Sequence, residues 1–409
     1  VTGGRRAESW VGRTVEAEVG PVAHGGHCVS RVEGRVVFVR HALPGELVLA
    51  EVTEDRGGGF CRADAVRVLR SSPHRVEPVC PLAAPGLCGG CDWQHATPQA
   101  QRELKAQVVA EQLRRLAGLD LAVEVEALPG GPLGWRSRVR LVVDPAGRPG
   151  LRAHRSHRVI PLAGCPISVP GALDEALTGG WRPGSELEVT ADAAGRTHLR
   201  ELAPARGGAA GRGRHRARQI QGGVAVQYAA GREWRIAAHG FWQVHPAAAD
   251  TLATVVGEWA GARRGGRAWD LYAGVGLFAS VLAEQVGPGG EVLAVESGRR
   301  AVADGEANLA DLPQVTWRAG RVEQVLDQRD DRPEVVVLDP PRKGAGAAVV
   351  EAVARATPDR VVYVACDPAA LARDVATFAG HGYSLARLRA FDAFPMTHHV
   401  ECVALLTRD

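Results

Sequence analysis

The 409-residue chain has almost no net charge, no long apolar run and no dense cysteine framework. Its 49 basic and 46 acidic residues leave +3, too little to imply a polyanionic partner from charge alone. No stretch reaches the roughly 18 apolar residues needed to cross a bilayer, so no membrane partner is expected. The opening VTGGRRAESW carries charge without a following apolar segment, which is the wrong pattern for a secretory leader. A soluble, cytoplasmic chain is expected. No repeat periodicity is visible. Eight cysteines in a reducing compartment point to metal binding or catalysis before disulfides. What is present is an ordinary globular balance, 45% hydrophobic and 23% charged, which excludes a fibre or a mostly disordered chain. The length predicts two or three domains.

Residues 11–70 contain short valine-rich runs, among them VEAEV, RVVFVRHAL and ELVLAEVTED, punctuated by glycine and proline. Four or five strands at that spacing predict a small barrel of OB-like proportions. A cysteine group breaks the pattern at 80–91. Leu104, Val108, Leu113 and Leu116 at helical spacing predict a helix over 98–116. RSRVRLVVD, the turn PAGRPG and LRAHRSHRVIPL predict a hairpin. Arg206, Arg212, Arg214, Arg216 and Arg218, set among glycine and alanine, read either as a phosphate-binding loop or as a solvated insertion. From about 245, apolar strands alternate with helical stretches, the mark of a doubly wound sheet. The expected units are a β-barrel at 8–72, a central α+β unit with the cysteines at 73–238, and a doubly wound α/β unit at 239–409.

WDLYAGVGLF (269–278) ends an apolar strand near Asp270 and places Gly274 and Gly276 before a new helix. Glycines let a backbone approach a ligand, and helix N–H groups face it. Neither a dinucleotide fingerprint nor a P-loop fits the spacing. One strand later, Glu296 stands at a strand end, where a carboxylate can accept bonds from ribose hydroxyls. A tight structural turn is the alternative for the two glycines. The combination resembles class I S-adenosylmethionine-dependent methyltransferases. That resemblance implies S-adenosylmethionine as cofactor and makes Asp270, Tyr272, Gly274, Gly276 and Glu296 cofactor residues, with Glu323 near the adenine.

Three further segments carry reactive groups. LDPPRKG (338–344) puts Asp339 at a strand tip; VYVACDPAALARD puts Cys366 between a strand and a helix beginning near Ala369; FPMTHHVEC puts Glu401 at the start of the last strand. A thiol at a helix start is expected to have a lowered pKa; the alternative is a buried small hydrophobe. His398 and His399 lack a matching ligand cluster, so a metal role for them has no support. In this order the three segments resemble the RNA uracil-C5 methyltransferases. The resemblance implies that Cys366 is the nucleophile, Glu401 the base, and Asp339 a residue lining the uracil pocket. HGFWQVHP resembles the family's Phe-x-Gln-x-Asn segment, which puts Gln243 near the methyl donor and the base, and makes Phe241 a stacking surface. His245 and Asp367 stand where the family has asparagine.

Cys80, Cys88 and Cys91 form C-x7-C-GG-C, and Cys165 follows within AGCPI. Four thiolates suit a [4Fe–4S] cluster or tetrahedral zinc. The absence of a second CxxC knuckle leans toward iron–sulfur, and four unrelated reduced cysteines are the remaining alternative. By resemblance, the 23S ribosomal RNA branch carries such a cluster and the transfer RNA branch generally lacks it. The barrel resembles a TRAM domain, an RNA-binding module. The expectation is therefore a monomer that methylates a uridine of RNA, most of all 23S rRNA. The alternatives are transfer RNA as substrate, a small-molecule substrate, or a non-catalytic RNA-binding protein.

Overall fold

The computed structural model describes residues 9–204 and 217–408. The first five strands are β1 (Thr14–Glu18), β2 (Cys28–Val32), β3 (Arg35–Arg40), β4 (Leu47–Asp55) and β5 (Phe60–Arg70). They form one sheet in the order β1-β4-β5-β3-β2, and its edges β1 and β2 touch to close a barrel. Alternation does the sorting: along β1 only Val15 and Ala17 are buried, because successive side chains point to opposite faces. Glu46 is wholly buried at the barrel end. Its carboxylate accepts bonds from Arg75 at 2.6 and 2.7 Å, from Leu43 N and from Ser72 N, which offsets the cost of burying a charge.

Helix α1 (Pro98–Gln112) starts where Thr97 accepts a bond from Ala100 N and Pro98 follows. Both are strong helix-start signals. Its last turn widens into a π-turn at Leu113–Ala117 and stops at Gly118, so the helix runs one residue beyond the expected 98–116. One face, with Leu104 and Val108, completes the barrel core. Val109 and Leu113 belong to the core of the C-terminal sheet. The short β6 (Val125–Ala127) then joins that sheet.

The central sheet has the order β12-β11-β10-β7-β8-β9, with β7 (Arg138–Val143), β8 (Pro149–Arg152), β9 (Val159–Pro161), β10 (Glu186–Ala191), β11 (Thr197–Leu202) and β12 (Ala217–Gln221). A five-residue helix, α2 (Asp174–Thr178), packs against it. The expected hairpin is present, but a turn at 153–158 splits its second arm into β8 and β9. Of the arginine run, Arg206, Arg212, Arg214 and Arg216 lie outside the described residues. Arg218 is in β12 and pairs with Glu201 at 3.0 Å, so it is committed within the sheet. The hairpin β13 (Val224–Ala229) and β14 (Arg232–Ala237) packs into the core of the C-terminal unit. The stretch 73–238 is thus shared. Its middle forms the central sheet, while α1, β6 and the β13–β14 hairpin serve the C-terminal unit, because their apolar faces have their partners there.

The C-terminal unit contains α3 (Ala248–Ala260), β15 (Arg267–Leu271), α4 (Leu277–Val286), β16 (Glu291–Glu296), α5 (Arg299–Asn308), β17 (Val315–Ala319), α6 (Val322–Leu326), β18 (Val335–Leu338), α7 (Ala347–Arg355), β19 (Arg360–Ala365), α8 (Pro368–Ala379), β20 (Tyr383–Asp392) and β21 (Glu401–Arg408). Its sheet runs β17-β16-β15-β18-β19-β21-β20-β6. β15 to β19 are parallel and β21 alone opposes its neighbours. Two apolar cores cover the two faces. The wholly buried VVVL of β18 follows from burial on both sides. Among the described residues, no helix is long and apolar enough to cross a membrane.

Candidate active site

The carboxyl ends of β15, β16, β18 and β19 open on one cavity of about 860 Å³. In doubly wound sheets this is where ligands sit. Phe241, Gln243, Tyr272, Gly274, Glu296, Glu323, Asp339, Cys366 and Glu401 all line it. Gly274 has a positive φ of 57°, and no atom lies within 4 Å of where a side chain would begin. Its N–H donates to Glu296 Oε2 at 3.1 Å. The other oxygen of Glu296 accepts from Gly298 N at 2.6 Å and Ser297 Oγ at 3.2 Å. The glycine turn and the acidic strand end are therefore one hydrogen-bonded rim. Glu323 opens α6 on the same wall, paired with Arg321 at 2.7 Å. An open glycine turn, a fixed carboxylate and a second acid nearby fit the sugar and base of a nucleoside cofactor.

Two expected cofactor residues stand behind this rim. Asp270 is fully buried and does not line the cavity; its Oδ2 accepts from Ala279 N at 2.7 Å, anchoring the start of α4. Burial pushes its carboxyl up to about 8. Gly276 packs against Leu309 and Trp317, where a side chain would collide at 2.9–3.0 Å. Both shape the turn from behind the cavity wall.

The reactive end of the cavity holds Cys366, Glu401 and Asp339. Burial, then the Glu401 and Asp339 carboxylates, push the thiol up to about 12. This reverses the lowered value expected from the helix start. Asp367 caps α8 by accepting from Ala370 N at 2.8 Å, and its own charge opposes a thiolate next to it. Burial, followed by repulsion from Asp339, holds the Glu401 carboxyl well above its ordinary range. Burial alone raises Asp339 to about 7. Three acids therefore share one corner of the cavity, each shifted toward its neutral form.

Sequence reasoning passed over Arg342 and weighed His399 only as a metal ligand; both line the cavity. Arg342, in the DPPRKG segment, favours the ionised forms of both Cys366 and Glu401 and lies 3.4 Å from His399 Nε2. Burial lowers His399 to about 3, so its ring is neutral. Their place beside the DPP and HVE signatures was the available signal. His245 faces away: it stacks on Trp135 with ring centroids 6.1 Å apart and accepts from Ala247 N. Asp367 also reaches the barrel, lying 3.1 Å from His24 Nε2.

The four grouped cysteines meet at a second cavity of about 20 Å³, lined by Cys80, Cys88, Cys91 and Cys165 with Arg136, Gln94 and aliphatic side chains. Gly90 N donates to Cys88 Sγ and Gln94 Nε2 to Cys91 Sγ. None of the four is in a disulfide. Among the described residues no group of three or more His, Cys, Asp or Glu is arranged to hold a metal ion. The donor set, four thiols with N–H groups directed at two of them, is of the kind that a [4Fe–4S] cluster or a zinc ion takes. Cys28, Cys61 and Cys402 are buried packing residues.

Known proteins agree with this architecture. Residues 320–409 match the family model described as tRNA (Uracil-5-)-methyltransferase, and residues 8–66 match the TRAM domain. An uncharacterized RNA methyltransferase of Streptomyces avermitilis is 47% identical, covering 97% of this chain and 98% of its own. One from Corynebacterium efficiens is 41% identical, covering 97% and 95%. Among solved structures, the Pyrococcus abyssi tRNA (uracil-54, C5)-methyltransferase in complex with S-adenosyl-L-homocysteine superposes with a TM-score of 0.71 at 21% identity. That match spans 96% of this chain and 100% of the other, and it supports the barrel and the doubly wound fold.

Proposed function

The chain belongs to the RNA uracil-C5 methyltransferase family, and from that premise we propose that it methylates C5 of a uridine in RNA through a covalent adduct with Cys366. The observation that carries this reading is a single cavity holding one thiol, the buried Glu401 carboxyl, the half-buried Asp339 carboxyl and the glycine–glutamate rim. S-adenosylmethionine supplies the methyl group.

Uracil C5 is a weak nucleophile. Attack of the Cys366 thiolate on C6 forms an S–C6 bond and moves the C5=C6 electron pair into an enolate. C5 then takes the methyl group, and the donor leaves as S-adenosylhomocysteine. Glu401 removes the C5 proton, the C5=C6 bond re-forms, and the thiolate departs. Arg342 favours the thiolate that starts the cycle and the carboxylate that ends it. Asp339 and Gln243 orient the base and the donor. Phe241, more than two-thirds exposed at the mouth, offers a face on which an unstacked base can rest. On this reading Asp270 and Gly276 act behind the donor site.

The four-thiol cavity supports a [4Fe–4S] cluster bound by Cys80, Cys88, Cys91 and Cys165, and with it 23S rRNA as substrate. Transfer RNA is the second reading, favoured by the description of the matching family model. The proposed enzyme is a cytoplasmic monomer. The test is to incubate the purified protein with a labelled methyl donor and, separately, bulk 23S rRNA and transfer RNA, then to map the label. Label on a 23S uridine is expected. Label on transfer RNA alone overturns the substrate, and label on another base overturns the chemistry.

A further inference from the structure

The loop between β20 and β21 carries His399 and leads into Glu401, yet it makes few bonds of its own. Thr397 bonds back to Phe394 O through both its N–H and its hydroxyl, and His399 N donates to Thr397 Oγ1 at 3.3 Å. Its centre is Met396, the only methionine in the chain, held at a positive φ of 67°. A non-glycine residue keeps such a conformation only where its surroundings over-determine it.

The surroundings come from the cysteine segment and α1. Asp92 N and Trp93 N, directly after Cys91, both donate to Met396 O at 2.9 and 3.1 Å. Asp92 Oδ2 accepts from His398 N at 3.1 Å and lies 2.7 Å from His398 Nδ1. From α1, the wholly buried Gln101 accepts from Met396 N at 2.8 Å and donates to its sulfur at 3.2 Å. Lys105 donates to Asp392 and Phe394 O at the loop's entry. The barrel adds a stop: a side chain at Gly26 would begin 2.7 Å from His398 Cβ. Met396 also shares an apolar cluster with Trp135 and Ile167, against which Cys91 and Cys165 pack. The cysteine cavity and the base-bearing loop thus share a wall.

We propose that Asp92 is a positioning residue for Glu401 and His399: the Cys91–Trp93 segment clamps the loop that presents them, so the cysteine centre and the methyl-transfer site form one mechanical unit. The proposal rests on the reading of Glu401 as the base. Removing the Asp92 carboxylate frees His398, which lies three residues before Glu401, and a base displaced by a fraction of an ångström loses the advantage of proximity.

The test compares wild type, Asp92→Ala and His398→Ala as full-length protein isolated with the cysteine site filled, matched by iron content and visible absorption. Hydrogen exchange is followed over 393–401, and two RNAs are offered, one with uridine and one with 5-fluorouridine. Fluorine at C5 blocks the base step but not attack by Cys366. For Asp92→Ala the proposal expects faster exchange over 393–401 and unchanged exchange over 270–300. It expects an unchanged rate of 5-fluorouridine adduct formation, with product from uridine RNA falling about tenfold or more as covalent adduct accumulates. His398→Ala, which keeps the 398 N–H bond to Asp92, shifts the same way by less, and stands alone should Asp92→Ala fail to fold. Unchanged exchange and turnover overturn the proposal. So does a parallel fall in donor affinity, adduct formation and product, the pattern of general damage. Should wild type form no adduct with 5-fluorouridine RNA, the covalent reading fails, and the exchange data decide the clamp independently.

Discussion

Two cavities among the described residues are lined by cysteine, and they surround it in opposite ways. In the small one four thiols face each other across about 20 Å³, with backbone and Gln94 N–H groups aimed at two of the sulfurs and no carboxylate in the lining. In the large one a single thiol shares about 860 Å³ with Asp339 and Glu401, whose charges oppose its ionisation. A thiolate that holds a cluster has its charge spread over metal. A thiolate that attacks a base is formed only when needed and must leave again. On the proposed mechanism, the Glu401 carboxyl that makes Cys366 reluctant to ionise is also the group that takes the C5 proton later in the cycle.

Four substitutions or conditions separate these uses, from the largest expected effect to the smallest. Cys366→Ala removes the nucleophile and lowers turnover by on the order of 10³-fold or more, with iron content unchanged; a radiometric methylation assay and iron analysis read both. Cys88→Ser does the reverse. It lowers cluster loading and destabilises the fold by about 1–3 kcal/mol, with donor affinity in the large cavity preserved, as denaturant melts and calorimetric titration report. Full loading and full stability in that variant would remove the cysteine centre from the account.

The third contrast is with pH. A thiol pushed up to about 12 is almost wholly protonated at neutrality, so the rate of 5-fluorouridine adduct formation, taken as kcat/KM, rises about tenfold per pH unit from 7 to 9. A plateau in that window contradicts the raised value. The smallest effect is at His24, whose bond to Asp367 raises its pKa above 6.5. A raised value means the pair stabilises the fold fully below about pH 6.5 and loses that contribution as pH climbs through the folded value. His24→Ala thus costs less than about 1 kcal/mol, because the pair is partly exposed, and only on the acid side. Melts at pH 5.5 and 8.5 separate the two.

The residues proposed to react were legible as positions because each sits where a local pattern changes, while their roles came from the family resemblance. Asp339, Cys366 and Glu401 all mark the end or start of an apolar strand beside a proline, a helix cap or a histidine pair, and period and punctuation reveal such points in one dimension. The rim of Gly274 and Glu296 was legible for the same reason. What was hidden depends on contacts between distant residues. Asp92 meets His398 across 306 positions, Lys105 meets Asp392 across 287 and His24 meets Asp367 across 343, and no local periodicity encodes such pairs. The sharing of 73–238 between two cores was hidden likewise, since α1 and β6 show an apolar face without naming its partner. Asp270 and Gly276 have the right sequence neighbours for a cofactor contact, but burial decides their role. The direction of the Cys366 shift was missed because the helix-end argument left out burial and the Glu401 and Asp339 carboxylates, which reach the thiol from distant parts of the sequence.

The most direct test of the central claim is to trap the intermediate. Glu401→Gln keeps the shape of the base and removes its ability to accept the C5 proton, so methylated uridine should remain attached to the enzyme. Protease and nuclease digestion followed by mass spectrometry is predicted to show one peptide, containing Cys366, carrying a 5-methylated uridine joined through C6. An adduct on any other residue, or free methylated RNA at the wild-type rate with no adduct, would contradict the account.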